Sequence, residues 1–222
     1  MGNGGGSSGL GSSRGDREHF GHGLIGQQIQ DTEMSNNEKV VWVMDTLGVD
    51  AKEAREIVAA MDKYTIDGYG GIHSGANKEL EAKIDKLLKS KKFPVYKGET
   101  FRGLTLEAKD GKTGEQIFRD ILKTGTWHEP GITSFSSRRG VAEGFMGVLA
   151  PDSQDLPILL RNTRNRSGVP VQHLSGAKGE FEVLMPSSIR NRGFRITGYK
   201  KIPFDSYFHK NGHAYLVDIA EN

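Results

Sequence analysis

The chain has 222 residues, a formal net charge of +2, 26% charged and 35% apolar side chains, and no cysteine. That balance suits a soluble globular protein, is too neutral to argue for nucleic acid, and excludes disulfides and thiolate metal sites. The seven histidines fall in no HExxH spacing, so no metal site is expected.

The chain opens with MGNGGGSSGLGSSRGDREHF, which lacks the apolar core of a signal peptide. Position 6 is glycine, where a myristoylation signal has Ser or Thr. No stretch approaches the roughly 20 apolar residues of a membrane helix. No membrane partner is expected, and the cytoplasm is the default address. Residues 1–36 carry ten of the thirty glycines and cannot bury enough apolar surface to offset the entropy of ordering. They read as a flexible tail, with Leu24, Ile25 and Ile29 as a small apolar group. The Arg14-Gly15-Asp16 triplet inside it reads as chance.

Residues 37–222 are expected to form a single domain, helical over 37–92 and with a β core over 93–222. Val40, Val43, Met44 and Leu47 fall at helical spacing, and Gly48 ends that helix. Asp50 followed by Glu53 has the pattern of a capping box, ahead of an apolar face of Ala54, Ile57, Val58 and Met61. A third helix is expected over about 77–89, with Leu80, Ile84, Leu87 and Leu88 inward. The connection before it, DKYTIDGYGGIHSGANKEL, is glycine-rich and carries Tyr64 and Tyr69. After Pro94 the period shortens toward two. Strands are expected over 94–104, 156–162, 180–186, 194–202 and 213–220, with short helices near 114–123 and 140–147. Helices first and strands later imply an α+β fold.

Three short stretches stand out. In GEFEVLMP (179–186), strand alternation puts Glu180 and Glu182 on one face and Phe181 on the other. Their Cβ atoms would lie about 6–7 Å apart, close enough to raise the pKa of at least one acid. Taken alone, the pair is an edge strand with a solvated acidic face. In ITSFSSRRGVAEGFM (132–146), Ser134, Ser136 and Ser137 precede a short helix. They read either as helix-capping hydroxyls or, with Ser134 at a strand end, as the donor that holds a buried carboxylate. In TFRGL (100–104), Arg102 sits in an apolar strand before Gly103. A guanidinium can bind phosphate or carboxylate bidentately, and a glycine lets a ligand approach the backbone. A surface ion pair is the plainer reading.

In their order and company, these stretches resemble the mono-ADP-ribosyltransferases of the Arg-Ser-Glu class, which include bacterial toxins and bacteriophage enzymes. The resemblance spans about residues 40–220. It implies an ADP-ribosyltransferase fold, with N-terminal helices packed on a two-sheet β core. Arg102 matches the motif arginine, Ser134 the first serine of the Ser-Thr-Ser element, and Glu182 the catalytic glutamate. Glu180 matches the upstream glutamate of members that modify arginine. Phe135 stands where the motif has threonine, and Tyr96-Lys97-Gly98 competes with Phe101-Arg102-Gly103 for the first motif.

The resemblance implies transfer of ADP-ribose from NAD, as substrate, to an acceptor protein with an exposed arginine, releasing nicotinamide. The bond to nicotinamide breaks ahead of attack, so positive charge develops on the ribose, as in glycoside hydrolysis. Glu182 would stabilise that charge, held by Ser134, while Arg102 and Gly103 would meet the NAD. Glu180 would orient the cationic acceptor and accept its proton. Phe145 has two readings, a stacking partner of nicotinamide or a core side chain. Trp127 and His128 are expected in the cleft wall, and residues 163–179 on the acceptor side. A monomer is expected. An NAD glycohydrolase would share every motif, and a phage-derived binding module with a decayed site is a reading of another class.

Overall fold

The computed structural model describes residues 34–68, 77–146, 154–177, 179–205 and 212–222. The first helix, α1 (Asn36–Leu47), begins earlier than the apolar spacing suggests. Ser35 accepts from the Glu38 amide while the Glu38 carboxylate accepts from the Ser35 amide, which satisfies two end donors reciprocally. Gly48 takes the left-handed conformation that closes the helix. Asp50 caps α2 (Ala51–Lys63) through the Glu53 amide. A π-helical turn, Tyr64–Gly68, extends α2, and Asn77 caps α3 (Lys78–Leu88). The expected contacts of residues 69–76, Tyr69 among them, and of the tail 1–33 lie outside the described residues.

The remaining elements are β1 (Thr100–Leu106), α4 (Gly114–Thr124), β2 (Thr126–Trp127), β3 (Thr133–Ser136), α5 (Arg139–Gly144), β4 (Leu156–Arg164), β5 (Val169–Pro170), β6 (Glu182–Met185), α6 (Ile189–Arg192), β7 (Phe194–Phe204) and β8 (Gly212–Glu221). The strand expected from residue 94 starts only at Thr100, and the one expected from residue 180 starts only at Glu182.

The strands form one eight-stranded sheet, in the order β2-β7-β8-β4-β1-β3-β6-β5, rather than two separate sheets. The reason lies at its centre. β1 runs beside β4 through seven residue pairs, but it meets β3 at one, Phe101 with Ser136. Two blades are therefore hinged at a single backbone pair; the blade of β3, β5 and β6 meets the helices on one face and shares a core with the other blade on its second face. One core unites Val43, Ile57, Met61 and Ile84 of the helices with Ile132, Val169, Val171 and Leu184. Another gathers Phe118, Trp127, Phe135, Leu160, Val183, Phe194 and Ile219. Both blades contribute buried leucine, valine and aromatic side chains, each contributing about 1.5–3 kcal/mol when removed from water.

Among the described residues no helix is long and apolar enough to cross a membrane. Among them, too, no cluster of three or more His, Asp or Glu could hold a metal.

Candidate active site

The site lies where the blades separate. Past the Phe101–Ser136 pair, the Ser134 carbonyl is met by a side chain, because Arg102 donates from Nη1 to it at 2.9 Å. Arg102 Nε lies 3.4 Å from Glu129 Oε1. Glu129 also accepts from Trp127 Nε1 at 3.0 Å and, at the limit of hydrogen bonding, from Thr133 Oγ1 at 3.5 Å. The acid is buried, so an ionic partner and two hydrogen-bond donors offset part of its desolvation. Lys97, the competitor for the basic position, is exposed and precedes the strand.

β3 and β6 pair antiparallel, with Ser134 opposite Leu184 and Ser136 opposite Glu182. That register puts Ser134 diagonal to Glu182 on one face of the sheet. Ser134 Oγ donates to Glu182 Oε1 at 2.6 Å. Glu182 is only 2% exposed, and burial pushes its carboxyl up to about 7. The hydroxyls of Ser134 and Ser175 pull it back, and the nearby charge of Glu180 pushes it further up. Its second oxygen, Oε2, is buried without a hydrogen-bond partner in the protein. A carboxylate with one oxygen held and the other buried and unpartnered is suited to accept from a ligand hydroxyl or face a developing cation.

The backbone on either side of Glu182 is tied to a loop. Its amide donates to Gln172 Oε1 at 3.2 Å and its carbonyl accepts from the Val171 amide at 2.9 Å. That loop is anchored in turn to the helices. Lys39, in an ion pair with Asp62 at 2.8 Å, reaches the Ser175 carbonyl at 3.4 Å, and the Gly176 amide donates to Thr65 Oγ1 at 2.8 Å. Tyr64 donates to the Ile132 carbonyl at 3.3 Å, just ahead of β3. Burial and the charge of Glu182 raise its phenol well above the ordinary value.

Several expectations are altered by this geometry. Glu180 does not share a strand with Glu182. Phe181 between them has φ 51°, so the chain turns before β6 and strand alternation does not relate the two acids. Glu180 is half-buried, which raises its pKa, and its charge is felt at Glu182. The serines do not cap α5, whose first turn receives no side-chain cap. Gly103 is needed for packing: a Cβ there would come within 1.8 Å of the Ala142 carbonyl, so α5 lies against the bare backbone. Phe145 is 50% exposed, at the end of α5, and is not a core residue. Trp127 is buried in the core with its indole N–H on Glu129, while His128 is exposed; the pair does not form one wall.

No local pattern marks Glu129, Gln172 or Ser175 individually. Their signal is tertiary: a lone Glu in WHEPG or a lone Gln in PVQHL has no periodicity that marks it as a partner of residue 102 or 182.

No protein-family model matches the chain, and no curated protein matches it. Solved structures do. Vis, an ADP-ribosyltransferase toxin from Vibrio splendidus, in its complex with an inhibitor called M6, superposes with a TM-score of 0.54 at 20% identity, over 87% of this chain and 88% of that one. Vis in complex with agmatine gives a TM-score of 0.53 at 19% identity, over 86% and 87% of the two chains. Plx2a, an ADP-ribosyltransferase toxin from Paenibacillus larvae, gives 0.50 at 15% identity, over 86% and 98%. The fold of this chain, from the helices through both blades, is that of the toxin-like ADP-ribosyltransferases.

Proposed function

We propose that the protein is a mono-ADP-ribosyltransferase that takes NAD as substrate, releases nicotinamide and places ADP-ribose on arginine. The observation that carries this reading is the buried Ser134–Glu182 pair, 2.6 Å long, with Glu182 Oε2 buried and unpartnered. A single free carboxylate oxygen in a desolvated site suits a ribose hydroxyl and the positive charge that grows as the glycosidic bond to nicotinamide breaks.

The roles divide by element. Glu182 on β6 stabilises the oxocarbenium-like ribose. Ser134 on β3 holds its rotamer. Arg102 on β1 supports the Ser134 carbonyl and presents its remaining N–H groups toward the donor nucleotide. The exposed ring of Phe145 is free to stack on a planar group. Glu180, outside the strand, faces the acceptor; its raised pKa suits a group that accepts a proton from a guanidinium as attack proceeds. The products are ADP-ribosyl-arginine, nicotinamide and a proton. Vis has been crystallised with agmatine, whose guanidinium group is the chemistry proposed here for the acceptor.

The test is incubation of the full chain with labelled NAD and a cell lysate, followed by mass spectrometry of modified peptides. Nicotinamide release with label on arginine is expected, and both signals should vanish in Glu182→Gln. Label on another residue type would redirect the acceptor assignment. Absence of nicotinamide release would remove the enzymatic reading altogether.

A further inference from the structure

β3 does not stop acting at Ser134. Its last residue and the two that follow, 136–138, grip the two residues ahead of β6. Ser136 Oγ donates to the Glu180 carbonyl at 2.6 Å and accepts from the Arg138 amide at 3.0 Å. The Ser137 amide donates to the Phe181 carbonyl at 3.0 Å. The guanidinium carbon of Arg138 lies 3.3 Å from the centre of the Phe181 ring. Phe181 is itself buried, at φ 51°, a left-handed conformation that a bulky residue holds only when its surroundings impose it.

We propose that Arg138 is a positioning residue for the acceptor-side carboxylate: stacked on Phe181, it holds the left-handed turn that aims Glu180, and thereby sets the ratio of transfer to NAD hydrolysis. A planar guanidinium over an aromatic face is attractive and geometrically demanding. Without it, Phe181 can relax toward an ordinary backbone conformation, and the Cα–Cβ bond of Glu180 swings with it. Glu182 stays, because the β3 ladder, Ser134 and Gln172 hold it independently. The inference rests on the transferase reading above for its consequence, though not for its geometry.

Two measurements test it, on the full chain. The first compares nicotinamide release without and with agmatine as acceptor, in wild type, Arg138→Met and Arg138→Lys. Methionine keeps the apolar stem and removes the cation. Transfer to agmatine is expected to fall about tenfold or more in Arg138→Met, since displacements near 1 Å cost on that scale. Hydrolysis should stay within about twofold of wild type, with lysine recovering part of the transfer. An unchanged ratio, or equal loss of both activities, overturns the proposal. The second follows the Glu180 carboxyl by carbon-13 NMR titration, without NAD. Glu180 is held above its ordinary value by burial, so its titration should move down in Arg138→Met. A Glu180 curve that does not move overturns the clamp even if the protein proves to have no NAD chemistry, an outcome that would by itself strike only at the function proposed above.

Discussion

Glu182 and Glu180 are two residues apart, yet they are held by unlike means. Glu182 stands on β6, its side chain fixed by a hydroxyl from the paired strand and its backbone by the loop carrying Gln172. Glu180 lies outside the strand, beyond a left-handed Phe181, and its carbonyl rather than its carboxylate is what the neighbouring strand grips. A ladder places a side chain through many cooperative hydrogen bonds. A turn places it through a few tertiary contacts. The donor side should therefore tolerate little change, while the acceptor side should be open to tuning by single residues.

The sharpest way to break this division is Glu182→Gln. Nicotinamide release should fall on the order of 10³-fold, the scale of losing a preorganised group that meets transition-state charge. The same change should stabilise the fold at pH 8. The folded carboxyl titrates near 7, above the ordinary 4.5. Between those values the folded state keeps a proton that the unfolded chain has lost, so stability falls as pH rises through that window. The variant removes that slope, and thermal melts at pH 5 and pH 8 should converge.

Glu180→Gln should cost transfer to arginine about 10²-fold, as expected for a missing general base, and leave hydrolysis within a few fold. Equal loss of both activities would merge the two acids into one task. Ser134→Ala should lower nicotinamide release about tenfold to thirtyfold, the loss of a hydrogen bond to a charged group. Its pH–rate profile should also move. The acid limb, near 7 in wild type, should shift upward, because the hydroxyl that draws the Glu182 pKa down is gone.

Arg102→Ala should raise the KM for NAD about tenfold, as a charge-assisted donor is lost, whereas Lys97→Ala, at an exposed site, should leave it unchanged. The smallest effect is expected of Glu129→Gln. It keeps the size of the group beside Trp127 and Arg102 but removes its charge. Activity should fall twofold to threefold, and stability by about 1 kcal/mol, as read in urea melts.

Much of the framework was legible locally. Apolar spacing located α1, α2 and α3, and glycine marked the end of the first of them. Alternation marked β7, and apolar runs marked β4 and β8, which are largely buried along their length. The Ser134–Glu182 contact was expected from the motif pattern and is present at 2.6 Å. The four-residue β3 and the two-residue β2 and β5 left no such record, because a strand that short shows hardly one alternation. The first residues of the expected 180–186 strand failed for a different reason: Phe181 has strong strand propensity, but Ser136, Ser137 and Arg138 impose another conformation on it.

What the order of residues determined alone was which side chains are candidates for the chemistry, and the helices and longer strands that display them, since each of these depends on neighbours within a few positions. What only the tertiary structure decided was their setting. Two blades meet at one backbone pair, Arg102 answers a carbonyl of β3, and Glu129 stands beside that arginine. Glycine at 103 serves the approach of a helix backbone, and Glu180 lies outside the strand that alternation assigns it. Each of these joins residues far apart in the chain, through distances and burial that no local pattern encodes.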